Sequence, residues 1–312
     1  MPGVSVIIRS HNRRDTLPSA IQSVLKQTYK DFEIIVVDDA STDGSREFLS
    51  TFDDDKVHCI QHGENLGPAA ALNSGIEASR GEFIAFLDDD DEYVPDKIER
   101  QLEILDSSPP EIGLVYTGIR LVNKAGKIVG QRLPSRSFWL GLSHSDFIGP
   151  TPLVRRECFE KVGLFDENLP YFEDRDMWLR VSDKYDFAFV KSPLLKMREH
   201  PGRLSYNYER QVTALKKLYQ KHSFRIESAP EDTRKEIWFQ YHCQLAHMLL
   251  FSNHASEARM ASKDAIRLQP SSMRGYSSLI LCLSGQRLAR ALSSLLRWGR
   301  MMKAKRIQET SG

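Results

Sequence analysis

Apolar positions in the first ninety residues come as short unbroken blocks. "VSVIIRS" at 4–10, "FEIIVVDD" at 32–39, "KVHCIQH" at 56–62 and "FIAFL" at 83–87 are rich in β-branched and aromatic residues, the signature of strands buried on both faces. Helical spacing fills the gaps: about Asp15 to Gln27, a segment opened by Ser41-Thr42-Asp43, and "GPAAALNSGIEAS" at 67–79. The resulting βαβαβαβ order predicts an α/β fold, a Rossmann-like mainly parallel sheet flanked by helices. Further on, "IRLVNKAGKIVG" at 119–130 reads as a hairpin around Lys124-Ala125-Gly126. A short helix is expected over Arg156 to Val162, and another in "YFEDRDMWLRVSD" with Trp178 and Leu179 inward. Near Ser205 the blocks give way to long helical stripes, so the chain divides into an α/β domain at 1–205 and an all-helical region at 206–312. "AIRLQP" looks like the end of a tetratricopeptide-type hairpin, yet no fixed period recurs, which argues against an array.

With 312 residues, a net charge of +1 and 41% hydrophobic content, the chain has the material for a sizeable core, and no nucleic-acid partner is expected. Met1-Pro2-Gly3 leads directly into a strand and leaves no room for a signal peptide. No apolar run approaches the roughly 18 residues of a membrane span. Cys59, Cys158, Cys243 and Cys282 are scattered without a paired spacing, so neither a disulfide framework nor a zinc site is indicated. These features place the protein in the cytoplasm. Charge is uneven, however: from Ala265 to Gln308 there are nine basic residues and no acid. Residues 285–306 set Leu288, Leu292, Leu295, Leu296, Trp298 and Met302 among arginines and lysines. Such a pattern suits either a helix packed on the helical region or a basic amphipathic helix on the anionic inner face of the plasma membrane.

The clearest chemical signal is "FLDDDDEY", where Asp88 to Asp91 follow a continuous apolar strand. Adjacent carboxylates near a surface repel by on the order of a few kcal/mol. "TFDDDKV" at 51–57 bears a similar run with Lys56 alongside and reads as a solvated loop. The run at 88 ends a buried strand, where open α/β sheets form their ligand crevice. A divalent cation shared with a polyphosphate would relieve the repulsion.

Four companion stretches complete a pattern. "VSVIIRSHNR", "VVDDASTDGS", "NLGPAAALNSGI", "FLDDDD" and "VGLFDENLPYFEDRDMWLR" occur in that order between about residues 4 and 205. Together they resemble the inverting family 2 glycosyltransferases of GT-A fold, with "FLDDDD" matching the DxD motif. The resemblance implies a nucleoside diphosphate sugar donor, UDP-linked by preference, a glycan or lipid-linked acceptor, and Mn²⁺ or Mg²⁺ as cofactor. It implies donor contacts at Ser10, His11, Asn12, Arg13, Asp39, Asn65, Gly67, Asn73, Asp88 and Asp89. By the same likeness Asp90 is the metal ligand, with His200 of "MREHPGRLS" completing the metal shell. Asp174 resembles the general base that deprotonates the acceptor hydroxyl, and Glu173, Asp176 and Trp178 fall on the acceptor side. Burial by Phe172 and Trp178, or the neighbouring acids, would raise the pKa of Asp174 into a useful range. The setting implied is bacterial surface polysaccharide or glycolipid assembly.

Plainer roles stand beside these. Asp38 suits a strand-end cap as well as a ligand, and Glu173 and Asp176 suit pairs with Arg175, Arg180 or Lys184. Asn65, Gly67, Asn73 and Gly75 suit the turn before a helix and its packing. The chain also departs from the family pattern, with Arg9 and His11 where Pro and Tyr are common and Leu72 in place of Arg. Arg9, Arg13 or Arg14 would then have to neutralise phosphate. Two other classes stay open: a nucleotidyltransferase, although "RSHNRRDT" has no glycine for a phosphate loop, and a non-catalytic binding protein, although the DxD acids and Asp174 are all present.

Overall fold

A computed structural model describes residues 1–123, 125–134, 151–198 and 207–284. They form two compact units, one of the described residues up to Pro134 together with 151–198, the other of the described residues from 207 on.

The first unit opens as the sequence pattern predicts. β1 (Val4–Ser10), β2 (Phe32–Asp38), β3 (Val57–Gln61) and β4 (Phe83–Asp88) alternate with α1 (Leu17–Leu25), α2 (Ser45–Ser50) and α3 (Pro68–Ala78). Among them β1 lies between β2 and β4, and all pairings are parallel. Because the chain winds outward from β1 to β3 and then returns to the other side of β1, the carboxyl ends of β1 and β4 flank a topological switch point, where ligands bind in such sheets. Val6 and Ile8 of β1, Ala85 and Leu87 of β4, and Leu17, Ile21 and Val24 of α1 share one core. Ile98, Leu102 and Leu105 of α4 (Lys97–Ser107) join it. The opposite face packs on α3, where a Cβ on Gly75 would come within 2.4 Å of Ile7 Cγ2.

Beyond β4 the sheet becomes mixed. β5 (Glu92–Tyr93), β6 (Ile112–Val122), β7 (Ile128–Arg132), β8 (Leu153–Arg155) and β9 (Asp186–Arg198) extend it in the order β3-β2-β1-β4-β8-β6-β9-β5, with β7 paired to β6. β6 and β7 are the expected hairpin. α5 (Arg156–Val162) covers the predicted span, and α6 (Glu173–Val181) buries Trp178 and Leu179. The thirteen-residue β9 was not legible as a strand, since Pro193 and two lysines interrupt it. It is accommodated by a register break opposite Gly118, whose Cβ position lies 2.6 Å from Arg132 O. The Asp53–Asp55 run lies in a loop, as read.

The second unit is helical throughout its described residues: α7 (Tyr208–Lys221), α8 (Ser223–Ser228), α9 (Glu231–Phe251), α10 (Ala255–Leu268) and α11 (Met273–Ser284). α10 buries Ala258, Ala261, Ser262 and Ala265, small side chains at helical spacing that let neighbouring helices approach closely. Phe239 and Cys243 of α9 pack on Ala265, while Ser262 Oγ lies 3.0 Å from Ser278 Oγ of α11. The basic segment 285–306, His200 and most of the loop at 131–150 lie outside the described residues.

Candidate active site

Charged side chains gather where β1 and β4 end. Arg9 and Asp88 are register partners on these parallel strands. Alternation turns both away from the core shared by Ile8 and Leu87. The Arg9 Nε donates to Asp88 Oδ1 at 3.1 Å, and its Nη1 lies 3.7 Å from Glu173 Oε1 at the start of α6. Burial alone would lower the Arg9 pKa. Asp88, Glu173 and Asp89 outweigh it, and the guanidinium stays charged. Arg9 therefore bridges an acid of the DxD stretch to an acid of the second motif, two segments far apart in the chain.

Within the acid run the four carboxylates have separate surroundings. Asp88, Asp90 and Asp91 each offer an oxygen within 4.8 Å of the others, a compact set of hard ligands of the kind that Mg²⁺ and Mn²⁺ take. Asp91 is buried, and its Oδ1 accepts from Arg198 N of β9 at 3.0 Å. Asp89 turns elsewhere: Oδ2 accepts from His11 N at 3.2 Å, and Oδ1 lies 3.7 Å from Arg13 Nε. Burial, with Asp90 and Asp88 beside it, pushes the Asp89 carboxyl up to about 7. The carboxylates that could hold a metal ion thus include Asp91, which the DxD spacing did not single out.

The loop after β1 is held rigidly. His11 Nδ1 lies 2.6 Å from Asp39 O, and since a carbonyl only accepts, that nitrogen carries the proton. Asn12 takes a left-handed φ of 55°. Its N–H donates to Ser41 Oγ at 2.9 Å, and its Oδ1 accepts from Thr42 N at 2.7 Å. Ser10 is buried and its carbonyl accepts from Asp39 N. Arg14 stacks over Phe48 with its guanidinium carbon 4.4 Å from the ring centre, so of Arg9, Arg13 and Arg14 the first two have their side chains at the acid run.

Asp38 and Asp39 are both engaged within the fold. Asp38 is fully buried, accepts from Ser41 N at 3.3 Å and pairs with Arg46. Asp39 accepts from Leu66 N at 2.9 Å, Gly67 N at 2.8 Å and His62 Nδ1 at 2.8 Å, so it pins the turn that leads into α3. A carboxylate has about four lone-pair sites, which leaves room for one further donor. Gly67 adopts a φ of 93° there, a conformation that only glycine takes without strain. Asn65 is exposed on the same turn. Asn73 is buried and clamps α3 to the segment before α6: Nδ2 donates to Phe165 O and Glu167 Oε1, and Oδ1 accepts from Phe165 N.

At α6, Phe172 adopts a φ of 64° just ahead of Glu173. Burial pushes Glu173 up to about 7 against the pull of Arg9. Burial likewise raises Asp174, opposed by its bond from Arg175 N at 2.7 Å and assisted by Asp88. Asp176 is buried against Arg180, whose Nε lies 2.9 Å away. Trp178 faces the core in a cluster with Phe86 and Phe165. Geometry thus brings Arg9, His11, Arg13, Asp88 to Asp91 and Glu173 together, with Asp174 next in sequence. Asn73, Asp176 and Trp178 have structural partners instead. Sequence reasoning passed over Asp91, His62 and Arg198, and only the adjacency of Asp91 to the DxD stretch offered a signal.

A family model described as glycosyl transferase family 2 matches residues 5–163. The chain is similar to an uncharacterized glycosyltransferase of Rickettsia typhi (strain ATCC VR-144 / Wilmington), 37% identical over 65% of this chain and 65% of that protein. It spans only 30% and 34% of two longer rickettsial relatives. It is also similar to the Escherichia coli UDP-Glc:alpha-D-GlcNAc-diphosphoundecaprenol beta-1,3-glucosyltransferase WfaP, 29% identical over 58% of this chain and 70% of that protein. Among solved structures, Staphylococcus aureus TarS 1–349 in complex with UDP-GlcNAc superposes with a TM-score of 0.62 at 15% identity, covering 92% and 91% of the two chains. The mannosyltransferase PcManGT from Pyrobaculum calidifontis, in complex with GDP-Man and Mn²⁺, gives 0.58 at 21% identity over 97% and 86%. At these identities the structures establish a shared GT-A-like fold.

Proposed function

The chain belongs to glycosyl transferase family 2, and from that membership we propose that it moves a sugar from a nucleoside diphosphate sugar to an acceptor hydroxyl with inversion, in bacterial surface polysaccharide or glycolipid assembly. One observation carries the reading: at the switch point between β1 and β4 the guanidinium of Arg9 reaches both Asp88 of the acid run and Glu173, the neighbour of Asp174. A transferase of this kind needs a polyphosphate site and a base within one catalytic centre.

In this reading Asp88, Asp90 and Asp91 hold Mn²⁺ or Mg²⁺, with His200, outside the described residues, as a further ligand. A bound divalent ion offsets the charge of the leaving diphosphate, which usually contributes several kcal/mol. Arg13, beside Asp89, faces the phosphates, and Arg9 holds the acidic residues in register. Ser10, His11 and Asn12 line the nucleotide side together with Asp39, Asn65 and Gly67. Asp174, its pKa raised by burial, takes the acceptor proton as the hydroxyl oxygen attacks C1. A UDP-linked donor is favoured because WfaP and TarS both carry UDP-sugars in their descriptions. The acceptor is a glycan, lipid-linked as in the description of WfaP, reached from the cytoplasmic face of the membrane.

Substitution of Asp90 tests the donor half. Asp90→Asn should abolish turnover and remove Mn²⁺-dependent binding of UDP, read by calorimetry, while the circular dichroism spectrum stays that of the intact chain. Full activity in excess chelator would overturn the metal assignment.

A further inference from the structure

Three strands carry a second charged surface beside the acid run. Arg120 of β6, Lys196 of β9 and Glu92 of β5 are successive register partners, and Val122 pairs with both Arg198 and Ile128. Leu195 and Met197 of β9 belong to the core beneath α4, so the intervening Lys196 and Arg198 point to the opposite face. Arg9 and Asp88 turn away from that same core. The register therefore lines up Arg120, Val122, Lys196 and Arg198 on the sheet face of the candidate active site.

These residues, with Glu92 and Ile128, line a cleft of about 190 Å³. Among the described residues its lining carries three cations and one carboxylate. Glu92 pairs with Lys196 at 3.5 Å and with the Arg198 guanidinium, and Arg120 is the third cation of the lining. Val122 is buried in the floor, whereas Ile128 is 43% exposed at the rim, so an apolar edge runs beside the cations. The cleft adjoins the acid cluster: Arg198 lines it and also donates its backbone N–H to Asp91, and Glu92, another lining residue, follows Asp91 directly.

We propose that this cleft binds the phosphoryl group of the acceptor. The inference rests on the glycosyltransferase reading, which puts the reacting hydroxyl near Asp174 and leaves the neighbouring surface for the rest of the acceptor. Two guanidinium groups and an ammonium suit phosphate oxygens, with arginine offering paired donors. The apolar rim suits a chain attached to the phosphate. Shared chemistry leaves two sources, a lipid-borne diphosphate or a free one, and the test separates them.

The full chain is titrated calorimetrically with farnesyl diphosphate, and in parallel with inorganic pyrophosphate, in EDTA so that the metal-dependent donor site is silent. The intact protein should bind farnesyl diphosphate, and Arg120→Gln and Lys196→Gln should each weaken it about tenfold, as expected for loss of one charge-assisted hydrogen bond. Binding of UDP with Mn²⁺ should be unchanged in both variants, which also certifies their folding. Pyrophosphate bound as tightly as farnesyl diphosphate, and weakened by the same substitutions, supports the phosphoryl site with a free rather than lipid-borne ligand. No binding by the intact chain, or equal binding by the variants, overturns the proposal. Failure of the glycosyltransferase reading shows separately, as absence of Mn²⁺-dependent UDP binding.

Discussion

Each acid in this chain takes its character from its immediate partners. Asp38 and Asp39 stand side by side in "VVDD", yet Asp38 holds its own loop and Asp39 holds the turn before α3. Glu173 and Asp174 differ again, because burial opposes their charged forms. A base must be deprotonated to act, and burial raises Asp174, so kcat/KM should climb with pH through a range above the ordinary carboxylate value and then level off. A pH–rate profile with its ascending limb in the ordinary carboxylate range would count against a buried base. Stability runs the other way: between the ordinary carboxylate value and about 7 the folded chain binds more protons than the unfolded one, so stability falls as pH rises across that interval. Asp174→Asn should lower turnover by about 10² to 10⁴-fold, the range for a lost general base, with UDP affinity held within a few fold. NMR of the product should show the inverted anomer.

Elements position these residues through a few close approaches. α3 lies against β1 because residue 75 has no side chain, and Asn73 two residues earlier ties the helix to Phe165 and Glu167. Gly75→Ala would bring a methyl within 2.4 Å of Ile7 Cγ2. Overpacking of this kind costs about 1–3 kcal/mol, partly offset by up to about 1 kcal/mol of helix propensity. Urea denaturation should show a net loss, and Ile7→Ala combined with Gly75→Ala should cost less than the sum of the single changes. Additive losses would mean that α3 shifts away as a body. The strands β1 to β4 and the hairpin of β6 and β7 were legible because their residues alternate or cluster locally. β9 was hidden because Pro193 and two lysines look like breakers until the pairing with β6 is formed.

For the molecule as a whole, no helix among the described residues is long and apolar enough to cross a membrane, and a peripheral attachment would fall to the basic segment 285–306. Deleting residues 285–312 should abolish flotation with anionic vesicles at low salt and leave the behaviour with neutral vesicles unchanged. A truncated chain that floats as well as the intact one would assign that segment to packing alone. Much of the architecture follows from the sequence by itself: the order of strands and helices, the change to helices after about 205, the acid run at a strand end and the family motifs all depend on neighbours within a few residues. Tertiary structure alone decided which carboxylates do what. Asp91 reaches its place through Arg198, Arg9 through Glu173, and Asn73 through Phe165. Such pairs lie about a hundred residues or more apart, and whether a polar group faces a ligand or spends its bonds inside the fold depends on donors and acceptors that come close only when the sheet has closed.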